Sequence, residues 1–310
     1  MFGRVKRTPP HLLNMVKVFD IGANLVDAMY QGFYNGKQVH EPDIENVLNR
    51  SYQAGVEKVM LTASTAADTR SAIEIIKMNT SSVYLSTTLG VHPCCANLIT
   101  EKYISDELEL LINHKDIRAL GEMGLDYDRL NYADKETQLF AFEMQLERLV
   151  SLRPDLTLFL HMRSATDDFV NLISKHRHKF KNGVVHSFTD GPDAMQKILD
   201  LDLYVGINGC SLKTEEGIET VRRLPLERML LESDAPWCEL RQSHAGWKYL
   251  RDWRLPFKTV DKYKHTRDAM VKGRNEPAGT RAILEAVAGI KETSVEEVAQ
   301  ITWQTSTSLF

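Results

Sequence analysis

A chain of 310 residues with 43% hydrophobic and 26% charged content buries a sizeable core, and its composition excludes both intrinsic disorder and a fibrous repeat. A net charge of −4 excludes a globally basic nucleic-acid binder, so any contact with nucleic acid must be local. No stretch approaches the ~20 apolar residues of a membrane span, so no membrane partner is expected, and the protein is expected to act as a monomer.

The first 17 residues carry Arg4, Lys6, Arg7 and Lys17 and no acid, but they lack the apolar stretch of a secretory signal. Pro9 and Pro10 break any amphipathic presequence helix there. Residues 1–15 therefore read as a flexible basic extension ahead of one domain spanning 16–310. The four cysteines, Cys94, Cys95, Cys210 and Cys238, show no metal-binding or disulfide-framework spacing. A reducing compartment follows, the cytoplasm or nucleus rather than the mitochondrion.

Eight short aliphatic runs then read as buried parallel strands: 16–21, 56–61, 83–89, 117–120, 156–160, 183–185, 203–207 and 229–231. Segments with helical spacing lie between them, among them 43–54, 66–78, 134–152 and 193–200. Eightfold alternation fits a closed (β/α)8 TIM barrel or an open doubly wound sheet. What favours the barrel is that nearly every run ends in a polar residue: Asn24, Thr62, His92, Glu122, His161, His186, Asn208 and Asp234. A barrel gathers all of these on one rim. Thr62 and Asn208 are equally well read as ordinary strand ends entering loops. Two histidines and two carboxylates together are not, because such groups rarely follow buried runs by chance.

Glu122, His161, His186 and Asp234 thus form the expected metal site. Imidazole and carboxylate donors suit zinc, manganese or magnesium, and thiolates are missing from the set. A carboxylate can bridge two ions, and two ions can activate water and neutralise the oxygens of a phosphodiester.

Gly121-Glu122-Met123-Gly124-Leu125-Asp126-Tyr127-Asp128-Arg129 resembles the GE(C/I)GLD(Y/F)xR motif of the TatD deoxyribonucleases. Leu160 to Arg163, Val185 to Phe188 and Glu232 to Pro236 resemble its next three blocks. Phe19 to Leu25, Gly90 to Pro93 and Arg274 to Pro277 match as well, so the resemblance runs in register from about residue 17 to 310 and is strongest to the eukaryotic subgroup. It implies a metallo-dependent hydrolase barrel that hydrolyses DNA phosphodiesters as a 3′-to-5′ exonuclease, with two divalent cations per chain. Roles in DNA repair or in the DNA breakdown of cell death belong to the same resemblance.

By that resemblance Glu122 sits between two metals, His161 and His186 hold one, and Asp234 completes the other and positions or deprotonates the attacking water. His92 lies at the rim as a substrate contact or proton donor; its plain alternative is a capping histidine beside Pro93. One departure matters. Many relatives carry His-x-His after the first strand, where this chain has Gly22 and Asn24. One metal position should then bind weakly, share its coordination with water and substrate near Asn24, and suit magnesium better than zinc. Gln304-Thr305-Ser306, where an asparagine is usual, concerns packing more than chemistry.

For DNA the chain offers Lys248, Arg251, Arg254, Lys258, Lys262, Lys264, Arg267, Lys272 and Arg274 after the last strand, against Asp252, Asp261 and Asp268. Trp247, Tyr249, Trp253, Phe257 and Tyr263 are interleaved; they read either as stacking platforms for splayed bases or as anchors of a solvated loop. Arg163, Arg129 and Lys213 follow other strand ends and are expected to hold phosphates, Arg163 foremost. Single-stranded or frayed DNA is the expected partner. The competing readings are a small-molecule amidohydrolase or an aminoacyl-tRNA deacylase on the same fold, and a binding protein with a structural metal.

Overall fold

In the computed structural model, which describes residues 16–310, the eight runs form one parallel sheet whose strands are neighbours in the order in which they occur in the chain. They are β1 (Val18–Ala23), β2 (Val56–Leu61), β3 (Tyr84–Leu89), β4 (Ile117–Asp126), β5 (Thr157–Arg163), β6 (Gly183–Val185), β7 (Tyr204–Ile207) and β8 (Met229–Leu231). The basic extension at 1–15 lies outside the described residues. β8 returns to β1 just past its end: the Asp234 N–H donates to the Gly22 carbonyl at 2.8 Å and the Asn24 N–H to the Ala235 carbonyl at 2.6 Å. The sheet therefore closes as a barrel at the rim where Asn24 and Asp234 stand.

Several strand ends differ from the expectation; the first strand runs on to Ala23 rather than Ile21, and the fifth to Arg163 rather than Leu160. The first strand starts two residues late, at Val18, and the fourth does not stop at Leu120 but continues to Asp126. Glu122 and His161 therefore lie inside strands rather than after them. The reason is glycine. Gly121 (φ 146°) and Gly124 (φ 151°) occupy conformations that side chains rarely adopt, and a Cβ on either would stand 2.0 or 1.9 Å from the carbonyl of Phe159 or His161. Without side chains there, β4 shifts register against β5 between Leu120 and Met123 and stays paired to its end.

Helices α1 (Ile44–Gln53), α2 (Ala66–Met78), α3 (Lys135–Leu152), α4 (Thr166–His176), α5 (Pro192–Asp200), α6 (Glu215–Arg223), α7 (Thr280–Lys291) and α8 (Val295–Leu309) accompany the strands. Thr65, Asp134, Thr214 and Ser294 cap α2, α3, α6 and α8 by accepting from first-turn N–H groups, each cap contributing about 1 kcal/mol. Between β3 and β4 the chain instead uses a 3-10 turn (Pro93–Leu98), an α-turn (Glu101–Tyr103) and a π-turn (Ile104–Leu108).

Phe19, Ile21, Met60, Ala119, Phe159, Val184 and Leu230 pack together in one buried cluster, and Trp303 and Phe310 of the C-terminal segment pack against it. Each large side chain buried this way contributes about 1.5–3 kcal/mol. With apolar packing at that end, polar groups are left to the opposite end, where the strands finish.

Candidate active site

Three histidines at the barrel mouth converge on one carboxylate. Glu122, in β4, is buried, and its Oε1 lies 2.6 Å from Nδ1 of His161 in β5, 2.7 Å from Nε2 of His186 after β6 and 3.4 Å from Nε2 of His92 after β3. His161 turns its other nitrogen to Asp126, with Nε2 3.0 Å from Oδ2. By sequence Asp126 has no role beyond membership of the glycine-rich motif, but with the strand continuing to it, this residue four positions after Glu122 faces the same side.

The electrostatics follow from this crowding. Burial works against the charge on Glu122, but His186 and His92 beside it outweigh burial and hold its pKa well below the usual carboxylate value. Burial likewise opposes protonation of His161 and His186, yet the Asp126 and Glu122 carboxylates around His161 and the Glu122 and Glu232 carboxylates around His186 raise both. His92 behaves differently: burial pushes it down to about 4. Its Nδ1 accepts the Cys94 N–H at 2.9 Å, so the neutral ring carries its proton on Nε2, aimed at Glu122. That tautomer makes His92 a donor rather than a ligand in this geometry. Its capping role and its place at the rim are both present.

Glu122, His161 and His186 each bring one donor atom within 4.8 Å of the others, and His92, Asp126 and His161 form an adjoining set of the same kind. The fit to a divalent cation rests on charge as much as on distance. Carboxylates here outnumber permanent cations, and both ring nitrogens of His161 face carboxylates, so a divalent cation among these atoms would be favoured by charge. Nitrogen and oxygen donors without thiolate suit zinc, manganese or magnesium alike.

Asp234 belongs to a neighbouring arrangement. Its Oδ1 accepts from Asn24 Nδ2 at 2.9 Å, and its Oδ2 faces Cys238 Sγ at 3.2 Å and Ser187 Oγ at 3.5 Å. Burial raises its pKa to about 6, with His186 opposing and Glu232 and Glu122 adding to the rise. Asn24 thus acts on Asp234 directly. Asn208, read only as a strand end, donates through Nδ2 to Ser187 Oγ at 2.8 Å and to Glu232 Oε1 at 3.3 Å.

Glu232 was not anticipated. Fully buried, it accepts the Ser187 N–H on Oε1 and directs Oε2 to Nδ1 of His186 at 3.5 Å, with no hydrogen bond to either atom. A Cβ on Gly22 would stand 2.7 Å from that Oε2, so a side chain at position 22 and this carboxylate compete for one space. The signal available in the sequence was an acid directly after the last apolar run.

Among the expected phosphate contacts, Arg163 stands at the site, its Nη1 3.6 Å from Asp126 Oδ2. Arg129 and Lys213 are exposed and stand outside the hydrogen-bonded cluster. The basic segment divides. Arg274 is buried against Asp43, which removes it from any nucleic-acid surface; Arg254 lies over the Trp247 ring at 4.5 Å, and Lys248 pairs with Glu215 at 2.8 Å. Lys258, Lys264, Arg267 and Lys272 remain exposed. Trp247, Tyr249 and Trp253 pack against the core as loop anchors, whereas Tyr263 is 75% exposed.

A parallel eight-stranded barrel with histidine and carboxylate donors gathered at its mouth is a metallo-dependent hydrolase. The TatD related DNase family matches residues 19–310, and the chain belongs to that family. It is 42% identical over 305 residues, 95% of this chain and 96% of its relative, to a protein of Schizosaccharomyces pombe named Deoxyribonuclease Tat-D. A relative from Pantoea ananatis named 3'-5' ssDNA/RNA exonuclease TatD is 30% identical over 286 residues, covering 91% of this chain and 95% of its own length. The crystal structure of a TatD family hydrolase from Entamoeba histolytica superposes with a TM-score of 0.90 at 36% identity, covering 96% of this chain and 99% of that one. The chain is accordingly a hydrolase acting on DNA.

Proposed function

We propose that this protein is a divalent-metal-dependent 3′-to-5′ exodeoxyribonuclease that acts on single-stranded or frayed DNA ends in a reducing compartment, the cytoplasm or nucleus. The observation that carries the chemistry is the convergence of His161 and His186 on one buried oxygen of Glu122. The direction of digestion is supported by the Pantoea ananatis relative's name.

In this reading Glu122, His161 and His186 would hold one cation, and Glu122 with Asp234 would hold a second, weaker one on the side of Gly22 and Asn24. Magnesium is the proposed ion there, because the second position lacks two imidazoles. Such ions supply Lewis-acid activation of water and neutralise phosphoryl charge. The chain's own groups do the rest. Asn24 fixes the Asp234 carboxylate so that Oδ2 can receive a proton from the attacking water. His92 presents Nε2–H at the rim, where it can donate to a phosphate oxygen or to the leaving group. Arg163 holds the phosphate, and Arg129 and Lys213 contact the strand farther out.

The test uses labelled single- and double-stranded DNA with magnesium, with chelator, and with Glu122→Ala protein. Shortening from the 3′ end should require both the metal and Glu122. Cleavage that survives chelator and substitution alike would sink the metallonuclease mechanism. The rate should also fall as salt rises, because cations bind phosphates partly by releasing counterions.

A further inference from the structure

The long segment after β8 covers a second cavity beside the rim. It has a volume of about 180 Å3, and Glu239, Trp247, Trp253, Arg254 and Phe257 line it together with the first turn of α7. Helices that follow barrel strands begin on the face where the strands end, so the cavity lies on the side of the catalytic groups. Asn275, also in its wall, ties it to them. The Asn275 N–H donates to the Pro236 carbonyl at 2.9 Å, and its Nδ2 donates at 2.9 Å to the carbonyl of Ser233, the residue before Asp234.

Two of the lining groups are without a protein partner. Glu239 is half-buried, yet its carboxylate makes no hydrogen bond and no ion pair among the described residues; burial raises its pKa, with Arg241 opposing. Arg254 is no counter-ion for it, because its guanidinium donates to the Arg251 and Trp253 carbonyls and lies over Trp247. Phe257 is likewise half-buried, but it belongs to neither buried apolar cluster, and among the described residues no other ring or cation packs on its own ring. Trp247 and Trp253 differ, for both pack against the core. A carboxylate and an aromatic ring that served only to fix the loop would be paired within it, as Asp43 and Glu276 are paired with arginines elsewhere in this chain.

This lining matches a flat ligand with an apolar face and hydrogen-bond donors along one edge. An ionised carboxylate only accepts, and it does so on two oxygens side by side. Of the four DNA bases, guanine alone presents two adjacent donors, N1–H and N2–H, on its Watson–Crick edge. Adenine and cytosine set a donor beside an acceptor, and thymine places N3–H between two carbonyl oxygens that a carboxylate repels. The same edge of guanine is occupied by cytosine in a duplex, so only an unpaired base can offer it.

The structure assigns this cavity to one unstacked base of the substrate strand, guanine in preference to the other three, with Glu239 accepting from N1–H and N2–H and Phe257 packing on the ring. That the base belongs to a DNA strand rests on the deoxyribonuclease reading above; the fit of the lining to guanine does not.

The test has two arms, both on the full-length protein. In the first, deoxyguanosine, deoxyinosine and thymidine are titrated without metal and followed by saturation-transfer nuclear magnetic resonance, which needs neither phosphate nor turnover. Deoxyguanosine should bind about tenfold more tightly than thymidine, the lower range for a bidentate contact to a base, and deoxyinosine, which lacks the N2 amine, should fall between them. Glu239→Gln should bring the three together. Phe257→Ala should weaken all of them by about tenfold and keep their order, since stacking does not distinguish bases. In the second arm, thymine strands carrying a single guanine stepped inward from the 3′ end are digested with magnesium. At one position guanine should lower KM by about tenfold in the wild type and leave it unchanged in Glu239→Gln protein. Equal binding of the three nucleosides, a guanine preference that survives Glu239→Gln, or a KM indifferent to guanine at every position overturns the assignment, and the wild-type comparison with deoxyinosine decides it even if a variant fails to fold. A protein that cleaves no DNA but still selects deoxyguanosine through Glu239 would defeat the deoxyribonuclease reading alone, whereas cleavage without any guanine preference would defeat the cavity's role alone.

Discussion

Two clusters of buried charge sit in this barrel, and they are built on opposite rules. Beside α1, Glu276 receives Arg50 through Nε at 2.8 Å and Nη2 at 2.9 Å, while Asp43 receives Arg274 through Nη1 at 2.7 Å and Nη2 at 2.6 Å. Two guanidinium forks meet two carboxylates, and His265 completes Asp43 at 3.1 Å. Charge there is matched within the protein. At the mouth, Glu122, Asp126, Asp234 and Glu232 face imidazoles and one peripheral arginine, Arg163. The first cluster is closed; the second is made to receive positive charge from outside. The difference separates a structural ion network from a reactive site more sharply than burial does, since both clusters are buried.

Exchanging one carboxylate in each cluster for its amide tests the contrast. Glu122→Gln should lower DNA cleavage by roughly 10³-fold, the loss of several kcal/mol of transition-state stabilisation, while leaving the urea midpoint near that of the wild type. Glu276→Gln should do the reverse. It leaves the Arg50 and Arg274 guanidiniums short of a buried counter-charge, a cost of about 3–5 kcal/mol in urea unfolding, with the turnover of the folded fraction unchanged. If both substitutions cost stability and activity in equal measure, the distinction between the clusters is wrong.

A smaller effect probes how the mouth is tuned. Oε2 of Glu232 faces His186 Nδ1 across 3.5 Å and occupies the space a Cβ on Gly22 would need. Carboxylates that hold a metal-binding histidine typically contribute 10- to 100-fold in affinity, so Glu232→Gln and Gly22→Ala should each weaken manganese binding by about that factor. Electron paramagnetic resonance of free manganese reads this without any turnover. Unchanged affinity in Gly22→Ala protein would mean that the carboxylate moves aside without cost.

The same contrast explains what could be read from the sequence. Runs of aliphatic residues ending in histidine or carboxylate pointed to the barrel and to Glu122, His161 and His186, because strand burial and donor chemistry are both local properties. Asp126 escaped because β4 runs on through Gly121 and Gly124, and that continuation depends on close approach to β5. Glu232 escaped for a related reason: its partners, Ser187, Asn208 and His186, come from two other strand ends. Arg274 was misplaced on a DNA surface since a basic run does not show which of its members faces inward. Asp43 marked the start of a helix correctly, but its side chain makes no cap because Arg274 and His265 occupy it.

Asp43 also gives the smallest and most specific prediction, one confined to acid. Burial alone would raise its pKa, but the Arg274 hydrogen bonds and charge, helped by His265, hold it below the ordinary value of 3.8. A carboxyl depressed on folding contributes stability that is fully present above its unfolded value and is lost as pH falls through its folded value. The loss attributable to Asp43 should therefore begin near 3.8 and grow below it. Asp43→Asn protein has no such proton to take up, so it should start less stable at neutral pH and then lose less than the wild type on acidification. Urea midpoints measured in parallel from neutral pH to below that value decide the matter. Parallel curves would show that Asp43 binds its proton equally in the folded and unfolded chains, and the closed cluster would then owe its stability to packing rather than to matched charge.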